Sequence, residues 1–67
     1  MPGPAERKII ADRATRLGLE LRQIPTGPWA GDWQLVRRNG SGVQFGWDQG
    51  RTWDEVIAWL DKHDPAL

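Results

Sequence analysis

Trp33-Gln34-Leu35-Val36-Arg37-Arg38-Asn39-Gly40-Ser41-Gly42-Val43-Gln44-Phe45, residues 33–45, is the stretch that decides how this chain folds. Its two ends alternate apolar and polar side chains, as strands with one face in a core do, and its middle is a polar, glycine-bearing turn. Because strand side chains have a period of two, the length of that turn sets which face of each strand meets the core. A two-residue Asn39-Gly40 loop pairs 36 with 43 and points Trp33 and Leu35 away from Val43 and Phe45. A three-residue Arg38-Asn39-Gly40 loop, with Gly40 in the left-handed bulge position, pairs 35 with 43 and 33 with 45. It gathers all four apolar residues on one face and is the expected register. The strands themselves are expected to run from Asp32 to Arg37 and from Ser41 to Trp47.

Upstream, Leu19-Glu20-Leu21-Arg22-Gln23-Ile24 alternates in the same way and is stopped by Pro25-Thr26-Gly27-Pro28, so a third strand precedes the hairpin. Before it, Ala5 to Leu17 lacks Gly and Pro and places Ile10, Ala14 and Leu17 at helical spacing, with Ile9 and Arg13 flanking the stripe. Gly18 then supplies the left-handed residue that ends a helix. Downstream, Thr52-Trp53-Asp54-Glu55 has capping-box spacing, and Trp53, Val56, Ile57 and Leu60 form an apolar stripe with Trp59 at its margin and Pro65 as the stop.

The reading is therefore one α+β domain over 5–64, a three-stranded antiparallel meander with two helices on one face in the order αβββα. Residues 1–4 form a disordered lead and 65–67 a tail. The covered face is expected to carry Leu19, Leu21, Trp33, Leu35, Val43 and Phe45. The open face shows Glu20, Arg22, Gln34, Val36, Arg38 and Gln44.

A chain of 67 residues supports one core, and with no Cys and five Trp its stabilisation is expected to come from buried indoles. The same absence, with His63 as the sole histidine, argues against a structural zinc site, a thiol nucleophile or an iron–sulfur cluster, and points to a reducing compartment. No signal peptide or membrane-spanning helix is expected, which makes a cytoplasmic location the default. Residues 1–38 carry seven basic and four acidic side chains, a net of +3, and residues 39–67 carry two and five, a net of −3. Such a dipole suits a protein partner better than nucleic acid, which favours a clearly basic face.

The segment Trp33-Gln34-Leu35-Val36, then Asn39-Gly40, then Thr52-Trp53-Asp54-Glu55-Val56-Ile57-Ala58-Trp59-Leu60 resembles a pattern of small uncharacterised proteins of actinobacteria and their phages. The resemblance covers roughly half the chain, over about residues 31–62. It implies an accessory role with no established activity, and the first function considered below is a non-enzymatic, phage-derived protein that modulates a host protein. It carries over no catalytic residue. The αβββα order is also similar to double-stranded-RNA-binding domains, but those start the last helix with lysines, where this chain has Asp54 and Glu55.

No residue pattern favours catalysis. His63 lies at a helix end, where a cation meets the helix dipole. Asp54 and Glu55 belong at a helix N-terminus, Asp61 and Asp64 flank Lys62, and Ser41 sits in a turn without a partner base. The glycines around Ser41 and between Gly46 and Arg51 fit turns better than a phosphate cradle, since no Walker lysine follows. No cofactor or metal is expected.

Binding residues are the remaining candidates. Arg37 and Arg38 at the hairpin tip, Arg22 on the open face and Arg51 offer guanidinium groups. Trp29, in a loop where no alternation demands an indole, either caps the end of the core or stands out as an anchor. Trp47 is expected in the core, because it continues the alternation of Val43 and Phe45. Three functions are thus in view: a protein-binding module using Trp29, Arg37, Arg38 and Arg51, a nucleic-acid binder using Arg22, Arg37 and Arg38, and a homodimer joined through the open sheet or a strand edge.

Overall fold

Pro4 opens the first helix. In the computed structural model, which describes residues 2–64, α1 runs Pro4–Arg16 with Gly3 as its N-cap. Pro4 thus belongs to the helix and not to a lead, because a first-turn proline lacks only an N–H that would be orphaned anyway and has φ already set for helix. The chain leaves α1 through Leu17 and Gly18, whose φ of +76° is the left-handed conformation expected of it. β1 (Leu19–Gln23), β2 (Trp33–Arg37), β3 (Val43–Phe45) and α2 (Trp53–His63) follow. The strands form an antiparallel sheet in the order β1-β2-β3, so the chain is the α+β meander that its patterning implies.

Both helices lie on one face. Ile10 and Ala14 of α1, Leu19, Trp33 and Leu35 of the sheet, and Val56 and Leu60 of α2 make one buried cluster, with Leu17, Leu21, Phe45, Trp53, Ile57 and Trp59 packed around it. α2 starts as its sequence predicts. Thr52 Oγ1 accepts from the Glu55 N–H at 3.2 Å and Glu55 Oε1 accepts from the Thr52 N–H at 3.0 Å, a complete capping box. Pro65, expected to end α2, and the expected 65–67 tail lie outside the described residues.

The hairpin register differs from the expectation. The Arg37 N–H donates to Gly42 O at 2.8 Å and the Gly40 N–H to Arg37 O at 3.1 Å, which closes a four-residue loop, Arg38 to Ser41, instead of three. Val36 is then opposite Val43, while Leu35 is opposite Phe45, because the register shifts between them. Gln44 is the extra residue of a β-bulge. Val43 consequently sits on the open face with Val36, pointing away from Leu35, and the bulge returns Phe45 to the core face. Gln44 is brought to the helix side as well, where its Oε1 accepts from Arg37 Nε at 2.9 Å. Val43 and Gln44 have therefore exchanged the faces assigned to them. The core survives because the bulge supplies the parity change that the shorter loop was expected to supply.

Trp47 is a second correction. Gly46 turns with φ of +87°, so the alternation ends there and the chain leaves the sheet for residues 47–50. Trp47 is 76% exposed on that excursion. The chain rejoins β2 at Arg51, whose backbone bonds reciprocally with Trp33. Indole burial is also more concentrated than composition suggests. Only Trp33 is fully in the core, and its ring meets Trp53 edge-on at 4.9 Å.

Candidate functional site

The two ends of the sheet differ in charge. At the end where Leu19 pairs with Arg37, a cleft of about 560 Å³ is lined by Arg37, Arg38 and His63 over Leu17, Leu19 and Trp59, with no carboxylate side chain among its described lining residues. Each part has a local cause. Arg37 takes the helix-side position of β2 beyond Leu35, Arg38 opens the hairpin loop, and His63 is the last residue of α2. Arg37 is steadied through Gln44 and by a 3.5 Å contact of its Nη1 with Ser41 O.

Trp59 forms one wall. Its ring stacks on Phe45 at 5.6 Å and lies 4.3 Å from the His63 ring at 33°. These two neighbours hold the indole in place as part of the cleft wall. Trp59 and the arginines together border the space left for a ligand.

At the other end of the sheet, where Gln23 pairs with Trp33, a smaller cleft of about 480 Å³ is lined by Glu6, Asp32 and Asp54 with Trp33 and Trp53. Glu6 accepts from Trp53 Nε1 at 2.7 Å, and the Arg7 guanidinium covers the Trp33 ring at 5.2 Å. The four-residue rise along β2 separates the two ends by about 13 Å.

That polarity replaces the dipole read from the halves of the chain. Arg13 and Arg16 bridge to the C-terminal acids: Arg13 Nη2 lies 2.8 Å from Asp61, and Arg16 Nη2 lies 2.8 Å from Asp64. Asp64 also faces Arg13 Nε at 3.5 Å, and its side chain is only 1% exposed. The two halves therefore neutralise each other across the helix pair.

The five candidate residues do not form one patch. Arg37 and Arg38 share the basic cleft. Arg51 is held at the opposite end by Asp48 at 3.1 Å and Glu55 at 3.5 Å, with its guanidinium 5.2 Å from the Phe45 ring centre. Trp29 is 43% exposed in the β1–β2 loop at that same end, its base packed against Gly50. A Cβ on Gly50 would stand 2.5 Å from Asp32 Cβ and 2.9 Å from Trp29 Cβ, so only glycine lets the two loops meet. Arg22 lies opposite Gln34 on the open face.

Leu17, Leu19, Trp59 and His63 are additions that sequence reasoning did not assign to a site. Their only signal was placement: Leu17, Leu19 and His63 each end or border an element that converges on the hairpin, and Trp59 lies one turn before His63 in α2. Among the described residues, no group of three or more His, Cys, Asp or Glu is arranged to hold a metal ion, and no helix is long and apolar enough to cross a membrane. Comparison with protein-family models, with curated proteins and with solved structures finds no match to this chain.

Proposed function

We propose that this chain is a small non-enzymatic accessory module that binds a protein partner by taking an acidic segment into the basic cleft. One observation carries the reading: Arg37, Arg38 and His63 converge over an apolar floor with no carboxylate side chain among the described lining residues. Guanidinium groups at such a rim make charge-assisted, bidentate bonds to carboxylates, and Leu17, Leu19 and Trp59 give an apolar side chain of the same segment a surface to cover. Phe45 and His63 already pack on the Trp59 ring, which makes it a poorer stacking platform than single-stranded nucleic acids use and favours a peptide.

The test is a pair of short peptides of alternating Glu and Leu, or Gln and Leu, titrated into the labelled protein and followed by amide shifts. The acidic peptide is expected to move Leu17 to Leu19, Arg37 to Asn39, Trp59 and His63. An Arg37→Ala, Arg38→Ala double variant is expected to lose roughly 10- to 100-fold in affinity, the worth of one to two charge-assisted bonds. Equal response to both peptides, or shifts confined to the Trp29 and Trp47 loops, refutes the reading. A short RNA duplex added in parallel, binding more tightly than the peptide, would hand the cleft to nucleic acid.

A further inference from the structure

We propose that β1 is a self-complementary edge through which two copies of this chain pair into one six-stranded sheet. This goes beyond the cleft reading and does not depend on it, since neither Glu20 nor Arg22 lines the cleft.

The hydrogen-bond phase of β1 fixes which groups are available. The Ile24 N–H donates to Asp32 O at 2.8 Å, and the Arg38 N–H donates to Gly18 O at 3.1 Å. Antiparallel ladders alternate, so Glu20 and Arg22 exchange bonds with Val36 and Gln34, and the N–H and C=O groups of Leu19, Leu21 and Gln23 point away from β2. β1 is the outer strand, so those groups face the free edge.

An antiparallel copy centred on Leu21 meets each of them. Leu21 pairs with its own counterpart and Leu19 with the second copy's Gln23, giving about six backbone hydrogen bonds around a two-fold axis. Glu20 then stands opposite the second copy's Arg22, and Arg22 opposite its Glu20. These are the close pairs of the ladder, with Cα atoms about 4.5 Å apart, where opposite charges attract most. Both side chains are exposed, and among the described residues neither makes an ion pair or hydrogen bond within the chain.

The ends agree with the register. Antiparallel pairing sets the basic Arg37 and Arg38 end of one copy beside the acidic Asp32 and Asp54 end of the other, twice. Charges on an edge strand ordinarily guard it by repelling a copy. A strand that alternates Glu and Arg about its own centre does the reverse.

Five residues a side bury less than the roughly 1,000 Å² of stable interfaces, so the dimer is expected to dissociate on the order of 0.1–1 mM at low salt. Sedimentation equilibrium of the full chain measures this, and concentration-dependent protection of the Leu21 amide locates it. Glu20→Arg and Arg22→Glu each turn two attractive pairs into repulsive ones and are expected to weaken the dimer at least about tenfold. Mixing the two single variants, or combining both swaps in one chain, restores pairing. Circular dichroism melts confirm that the exposed swaps leave the fold intact. A wild type that stays monomeric at about 2 mM, or variants that dimerise as well as it does, overturns the proposal. So does a mixture of the single variants that forms no heterodimer.

Discussion

Replacing Asp64 by asparagine keeps the side-chain volume and removes the charge that ties α1 to the end of α2. In the native protein this carboxylate is all but inaccessible, 2.8 Å from Arg16 Nη2 and 3.5 Å from Arg13 Nε. Breaking a buried pair from one side costs about 3–5 kcal/mol, because the abandoned charge stays buried, whereas a single charge-assisted bond contributes about 1.5–3 kcal/mol. Here relief is partial. Arg16 is half exposed and can turn to water, and Arg13, which is mostly buried, keeps Asp61. The expected loss is therefore about 2–3 kcal/mol, a large part of the few kcal/mol that a domain of this length has.

An unfolding entropy of about 2.1 cal/mol/K per residue gives about 0.14 kcal/mol/K for this chain, so Tm should fall by about 15–20 °C. Urea unfolding followed by Trp fluorescence measures the change, since buried Trp33 is exposed on unfolding. An Arg16→Met background isolates the pair: the two substitutions should cost less together than the sum of their separate costs. A destabilisation below about 0.5 kcal/mol, or strict additivity with Arg16→Met, would refute the claim that Asp64 locks the helices.

Other expectations rest on different contacts. Gly50→Ala places a Cβ against Asp32 and Trp29 and should cost about 1–3 kcal/mol while shifting the Trp29 indole N–H resonance; unchanged stability would mean that the loops do not meet as described. Trp47→Ser should change stability by less than about 0.5 kcal/mol, and Trp33→Ala should cost about 3–5 kcal/mol, so equal effects in denaturant titrations would contradict their burial. The Glu55 carboxyl is held below its ordinary value of 4.5 by the Thr52 backbone N–H, against some desolvation and with help from the Thr52 hydroxyl and Arg51. Because the folded value is the lower one, its contribution is complete above about 4.5 and is lost as pH falls through the folded value, which carboxyl NMR should show as a midpoint below that of a free Glu. Thr52→Ala should raise that midpoint and cost about 0.5–2 kcal/mol.

What the sequence made legible was local. Thr52 and Glu55 lie three residues apart, Gly18 follows the apolar residue that caps α1, and the alternation in Leu19–Gln23 and Trp33–Arg37 needs no knowledge of the rest of the chain. The bulge at Gln44 was not legible, because a three-residue loop and a four-residue loop with a bulge both bring Phe45 to the core. They differ in where Val43 and Gln44 point, and a half-buried strand position tolerates valine on either face. Trp47 misled for a similar reason: alternation predicts a face only while the chain remains in the sheet, and Gly46 takes it out. The site was half legible. Arg37 and Arg38 announced themselves by adjacency at a turn, but Trp59 and His63 reach them from 21 or more positions away, a distance at which no sequence period operates.

The pattern of charge links these observations. A helix pair on one face of a three-stranded sheet leaves α1 and α2 in contact along a single seam, and the seam uses Arg13, Arg16, Asp61 and Asp64 where a larger protein would use apolar layers. Arg51, Asp48 and Glu55 do the same at the entry to α2. The charged groups that line the two clefts are sorted by position along the strands: Glu6, Asp32 and Asp54 at one end, Arg37 and Arg38 at the other. A formal charge of zero therefore conceals a molecule that is polar along its sheet. Such a molecule has two ways to satisfy its ends, a partner of opposite charge at one of them or an antiparallel copy that covers both, and raised salt should weaken the two alike. Substitution separates them, because Arg37 and Arg38 govern the first and Glu20 with Arg22 the second.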